Sequence, residues 1–178
     1  MSVPGPNLRA MSCRASSLWV DPIAHAGEVA RFRSKVVVGP DEGDCSIWVG
    51  SIGADGYGRF FLTRHGVGFC VRANRYALAL DRGSIGAQVL ALHECDLPVC
   101  VKVNAPHARR QHVVGGTQGD NMARMARMGR GGGRPLTRGP GRDARRLRSV
   151  ALREAVRNGV WDAQAVRDAL WGSEPSLF

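Results

Sequence analysis

The stretch LHECDLPVC, residues 92–100, places His93 two positions before Cys95, and four residues separate Cys95 from Cys100. Two more imidazoles follow at His107 and His112, and Cys45 stands well upstream. Zinc takes four soft or borderline ligands in a tetrahedron, and the C-x4-C spacing suits a ligand pair. Three thiolates and one neutral imidazole around a divalent ion would leave about one net negative charge. Such a site would pin a loop-rich fold to a small core. Spacing alone leaves the alternatives open: the cysteines are metal ligands or ordinary buried residues, and either His107 or His112 is the nitrogen ligand.

These residues need elements to hold them. AQVLAL, ending on His93, reads as a strand, and QHVVGG as another, with the cysteine loop between them. Thr117 with Asp120 three residues later makes a capping box that starts a helix near Gln118. Met122, Met125 and Met128 then recur at i, i+3, i+6, a stripe expected to face the core. Upstream, a short helix is expected over Glu28–Ser34, strands at CSIWVG and GRFFLT, a turn at ADGYG, and a helix in ANRYALALDRG closed by Gly83. Trp48 and Tyr57 are expected in the core, Cys70 as a small buried residue, and His25 and His65 on the surface.

The chain has 178 residues, 44% apolar but only 6% aromatic, which suits one modest domain with an appendage. No apolar run is long enough for a membrane span, and the first residues lack the apolar stretch of a secretory signal. A cytoplasmic location is expected, where thiols stay reduced. Five cysteines, an odd number, also argue against a disulfide framework, and Cys13 is expected to be unpaired in a leader over residues 1–26.

The net charge is +10, and its placement is uneven. From Arg124 to Arg153 there are ten arginines and one acid, Asp143. Residues 129–142 hold six glycines, two prolines and four arginines, the composition of an extended basic linker. Helical spacing resumes at 143–156 with Leu147, Val150, Ala151, Leu152, Ala155 and Val156, to end at Gly159, and Asp162 is placed to cap a second helix. A concentrated basic segment is the footprint of a nucleic-acid binder.

The order strand, His93, cysteine loop, strand, helix is a ββα-metal arrangement. The segments RFRSKV, CSIWVG, GYGRF, RANRYALALDRG, LHECDLPVCV and GTQGDNMARMARMGR together resemble the HNH (His-Me finger) endonucleases of phage and intron type, relatives of the His-Cys box homing endonucleases. The likeness covers roughly residues 31–130. It implies an α+β fold with a small ββα-metal core over 27–130, zinc-stabilised loops, a linker over 131–142 and a helical appendage, helix-turn-helix-like, over 143–178. It implies that His93 is the general base, that Asn121 ligates a catalytic Mg²⁺, and that Cys45, Cys95, Cys100 and His112 bind structural zinc, with His107 as the alternate. It further implies a prokaryotic or phage-encoded enzyme that cuts double-stranded DNA in a homing or mobile-element role.

The chemistry is coherent. An imidazole near its ordinary pKa of about 6.5 can accept a proton at neutral pH. An asparagine carbonyl is a hard oxygen ligand suited to Mg²⁺. Leu92 stands where other members carry an acid, so Asn121 would be the sole protein ligand, while Asp120 serves as the helix cap. Arg75 and Arg72, with Arg59 behind them, are candidates to neutralise the scissile phosphate. Arg124, Arg127, Arg130, Arg134, Arg138, Arg142, Arg145 and Arg146 are the expected DNA contacts. A homodimer or two successive nicks would each cut both strands. The rival expectation is a non-catalytic zinc-stabilised DNA-binding protein.

Overall fold

The computed structural model describes residues 16–128 and 141–171. Its first half contains β1 (Leu18–Trp19), α1 (Ala26–Arg33), β2 (Val36–Val38), β3 (Ser46–Trp48), β4 (Arg59–Arg64) and β5 (Val67–Arg72). Then follow α2 (Ala73–Arg82), β6 (Ser84–Ile85), β7 (Leu90–His93), β8 (Val113–Gly116), α3 (Gln118–Arg127), α4 (Arg142–Ala155) and α5 (Ala163–Trp171). The class is mixed α+β. Among the described residues the strands form four two-stranded antiparallel ribbons, β1 with β6, β2 with β3, β4 with β5 and β7 with β8. No helix among them is long and apolar enough to cross a membrane.

Few aromatics still make a core because they are concentrated. Phe32, Trp48, Phe60 and Tyr76 come from α1, β3, β4 and α2, and their ring centroids lie 4.6–5.6 Å apart where they touch. Aromatic contacts of this kind add roughly 0.5–1.5 kcal/mol each beyond the area they bury. Around them, Glu28 on α1 receives two hydrogen bonds from Arg64 on β4, at 3.0 and 2.6 Å, while the same guanidinium donates to the Trp19 carbonyl at 2.7 Å. One arginine thereby ties β1, α1 and β4. Burial alone would raise the Glu28 carboxyl, but the Arg64 ion pair, a Tyr76 hydrogen bond and the nearby His25 together outweigh it and hold the group below its ordinary value.

The strand β5 is not anticipated from the sequence. His65 at φ 51° and Gly66 at φ 73° form the two-residue turn that joins it to β4. Two consecutive left-handed residues match the twist of an antiparallel hairpin, and histidine tolerates that region better than most side chains. The turn signal was therefore Arg-His-Gly-Val rather than the usual Asn-Gly.

Three further expectations are corrected. Met122, Met125 and Met128 are exposed, by 52%, 37% and 39%, because α3 packs on the β7–β8 hairpin through the face that buries Arg124. Cys70 is disulfide-bonded rather than a simple buried thiol, and Cys13 lies outside the described residues. Tyr57 is only half-buried, whereas Trp48 is in the core as expected.

The helices α4 and α5 also join the core: Leu152, Val156 and Val166 belong to its main buried cluster. The buried residues of α4 are Ser149 and Leu152, followed by buried Val156 at its C-cap, while Leu147 is exposed. Asp162 caps α5 by accepting from the Gln164 and Ala165 amides at 2.9 and 3.0 Å. The linker expected over 131–142 falls almost wholly outside the described residues.

Truncating Leu152 to Ala should cost about 2–5 kcal/mol of global stability, as for a core leucine. Urea unfolding followed by circular dichroism checks this, and a loss under about 0.5 kcal/mol, the level of a surface substitution, would show that α4 is not integral. The Glu28 carboxyl, lowered on folding, stabilises the protein above the ordinary carboxylate range, and that stability is lost as pH falls through its folded value. Glu28→Gln should therefore flatten the acid limb of a stability-versus-pH curve.

Candidate metal centre and adjoining cleft

Cys45 precedes β3, Cys95 and Cys100 lie on the loop after β7, and His112 precedes β8. Their ligand atoms all fall within 4.8 Å of one another. His112 Nδ1 is 3.3 Å from Cys45 Sγ and 3.7 Å from Cys100 Sγ. A tetrahedral ion with metal–sulfur bonds of about 2.3 Å and a metal–nitrogen bond of about 2.0 Å sets these separations near about 3.5 Å. The donor set, three sulfurs and one imidazole nitrogen, is one that zinc favours. The cluster can hold a metal ion such as zinc. His107 is exposed and lies outside it, so geometry decides the alternative in favour of His112.

Backbone bonds explain why distant cysteines meet. Trp48 N donates to Val99 O, and Val101 N to Ser46 O, each at 2.8 Å, which lays the cysteine loop along β3. On its other side Val113 N donates to Lys102 O at 2.9 Å and Glu94 N to His112 O at 2.7 Å. Lys102 Nζ then donates to the carbonyls of Glu42 and Asp44, at 2.6 and 2.7 Å, and clamps the segment leading to Cys45.

The thiols perturb one another. Hydrogen bonds from Cys100 and Cys45, and the nearby His93, hold Cys95 well below the usual thiol range despite burial. The reciprocal interactions with Cys100 and Cys95 push Cys45 upward, and burial pushes Cys100 up to about 12. A bound divalent cation would favour the thiolate form of all three cysteines.

Beside the cluster opens a cleft of about 500 Å³. His93 ends β7 and Asn121 lies in the second turn of α3, and both line this cleft. The helix start is set by a full capping box: Thr117 Oγ1 accepts from Asp120 N at 3.1 Å and Asp120 Oδ2 from Thr117 N at 2.7 Å. Asp120 is thus occupied as a cap, as its position implies. Glu94 ion-pairs with Arg124 at 2.6 Å and binds α3 to the end of β7. Tyr57 stands with its ring centroid 5.7 Å from that of His93.

The arginines divide. Arg72 lines the cleft, lies 4.1 Å over the Tyr57 ring and pairs with Asp55 at 2.9 Å, with its side chain 46% exposed. Asp55 also pairs with Arg59 at 2.8 Å. Arg75 also lines the cleft, but is buried, its guanidinium donating to the carbonyls of Val89, Ser16 and Gly86 and tying chain segments together. Arg124 likewise is buried and paired rather than presented to solvent. Arg127, Arg142 and Arg146 are exposed, and Arg145 lines the cleft, its main chain lying against Gly56 in the ADGYG turn. Arg130, Arg134 and Arg138 lie outside the described residues.

Sequence reasoning did not assign Asn74 or Tyr57 to this cleft.

No protein-family model and no solved structure matches the chain. A stretch of 87 residues is 29% identical to Protein 7.7 of Escherichia phage T7, covering 49% of this chain and 58% of that protein. The match therefore spans less than two thirds of that relative.

Purified protein should hold about one zinc per chain. Cys95→Ser and His112→Ala should lose it, and His107→Ala should keep it, by metal analysis of the purified variants. Zinc absent from the wild type would remove the metal centre.

Proposed function

We propose that the chain is a metal-dependent endonuclease of the HNH type that hydrolyses phosphodiester bonds in double-stranded DNA, in a homing or mobile-element setting. One observation carries the reading: His93 and Asn121, from different elements, line a single cleft beside a cluster suited to zinc. The hairpin β7–β8 followed by α3 has the order that a ββα-metal core requires, and the phage relative is consistent with a phage origin.

In this reading His93 accepts a proton from water as the water oxygen attacks phosphorus and the bond to the leaving oxygen breaks. The Asn121 side-chain oxygen is the hard ligand for Mg²⁺, which when bound supplies Lewis-acid stabilisation of the phosphate and leaving group. Arg72, partly exposed in the cleft, is the guanidinium placed to neutralise the phosphate, and its stacking on Tyr57 with the Asp55 pair fixes its direction. Arg145 lines the same cleft and Arg127, Arg142 and Arg146 are exposed, and in this reading they contact the DNA backbone and fix register without reading sequence. The zinc cluster is structural: it holds the loop that follows His93.

Plasmid nicking in Mg²⁺ tests the proposal. His93→Ala should lower the nicking rate about 10²–10⁴-fold, the usual worth of a general base, while zinc content and DNA binding persist. Asn121→Ala should also abolish nicking with zinc retained. Equal nicking by wild type and His93→Ala would remove His93 as the base. DNA binding with no nicking by the wild type would favour the non-catalytic zinc-stabilised DNA-binding protein.

A further inference from the structure

We infer that Arg145, carried by α4, is the group of the cleft that binds a phosphodiester anion, so that this helix is a wall of the site and not only an outlying DNA contact. Four guanidinium groups line the cleft, on Arg72, Arg75, Arg124 and Arg145. Three of them have partners. Arg72 donates to Asp55 at 2.9 Å, Arg124 pairs with Glu94 at 2.6 Å, and Arg75 is taken up by the carbonyls of Val89, Ser16 and Gly86. The Arg145 side chain makes no hydrogen bond or ion pair with the described residues. Among those residues the one acid lining the cleft is Asp96, and it faces Arg148 at 4.0 Å. Arg145 is half-buried, so its guanidinium gives up part of its hydration and recovers nothing until an anion arrives.

The position of this side chain is fixed by its surroundings. A Cβ built at Gly56 would meet Arg145 Cγ at 3.2 Å, so the stem lies against the turn that carries Asp55 and Tyr57. Arg145 therefore enters the cleft beside Tyr57, whose ring lies 4.1 Å beneath the Arg72 guanidinium. Three residues on, Arg148 donates to the Asp96 carbonyl at 3.3 Å, and Leu152, one turn further, is in the core. A guanidinium fork offers paired N–H donors that match two oxygens of one phosphate, and a pre-placed stem loses less freedom on binding. A phosphodiester carries a single negative charge, which one unpaired guanidinium balances. The consequence of the inference rests on the nuclease reading: there, Arg145 holds the phosphate on which His93 and Asn121 act.

The test is an NMR titration of the full-length, zinc-loaded protein, without Mg²⁺, with the dinucleoside monophosphate TpT. This probe has one phosphodiester and is too short to reach the outer arginines. Arg145→Ala should weaken TpT binding about tenfold or more, the usual worth of a hydrogen bond to a charged group. Arg145→Gln, which keeps the stem against Gly56 and removes the charge, should do the same and decides the matter where Arg145→Ala does not fold. Arg33→Ala, an exposed arginine of α1, should change binding less than about twofold, and TpT with a neutral methylphosphonate link should bind the wild type as weakly as TpT binds Arg145→Gln. TpT affinity equal in wild type and Arg145→Gln at unchanged zinc content overturns the inference, as does undiminished binding of the neutral analogue or no binding of TpT by the wild type. TpT held through Arg145 by a protein that never nicks plasmid keeps this assignment and loses the nuclease reading. Nicking that needs His93, in a protein whose TpT binding is indifferent to Arg145, does the reverse.

Discussion

The meeting of Cys45, Cys95, Cys100 and His112 is the constraint on which the rest of this half of the molecule turns. The four side chains come from segments that flank β3, β7 and β8, three short strands that do not share one sheet. Two-stranded ribbons are marginal in water by themselves. Here the ribbons gain order from the point where their ends converge. The backbone bonds from Trp48 and Val101 to the cysteine loop, and from Val113 to Lys102, place the loop so that the sulfurs arrive together. Removing one cysteine would leave two thiols and the buried His112 imidazole without the fourth member of the set, a costly interior for so small a fold.

The cleft inherits its geometry from that point. His93 is two residues from Cys95, so whatever holds the loop holds the imidazole. Asn121 is placed from the other side by the Thr117–Asp120 cap, and the Glu94–Arg124 pair joins the two halves. Arg75 does comparable work beneath, where its three carbonyl contacts bind α2 to the segment leading into β7. Its guanidinium is spent on fold rather than on ligand, which is why desolvation acts on it without a compensating anion and lowers its pKa.

Much of this was legible in the sequence, and the parts that were not have physical reasons. Capping chemistry is local, so Thr117, Gly83 and Asp162 could be placed from their neighbours alone. The metal ligands were legible as a set of types but not as a choice between His107 and His112, because the choice depends on where β8 begins. The methionine stripe misled because periodicity reports a face, not what covers it: α3 turns Arg124 inward, leaves Met122 exposed and places Met125 and Met128 at the cleft. Asn74 was out of reach for another reason. Its contact with His93 joins α2 to β7 across nineteen positions, and no local pattern encodes such a pairing.

Gly56 carries a consequence for how the opening could be remodelled. At φ 84° it occupies backbone territory that side chains avoid, and a Cβ built there would meet the Arg145 main chain at 3.3 Å. The turn between β3 and β4 thus approaches α4 closely enough that a side chain at this position would crowd Arg145. Any larger residue would strain that turn and press on Arg145, a residue of the cleft wall remote from the cysteine cluster.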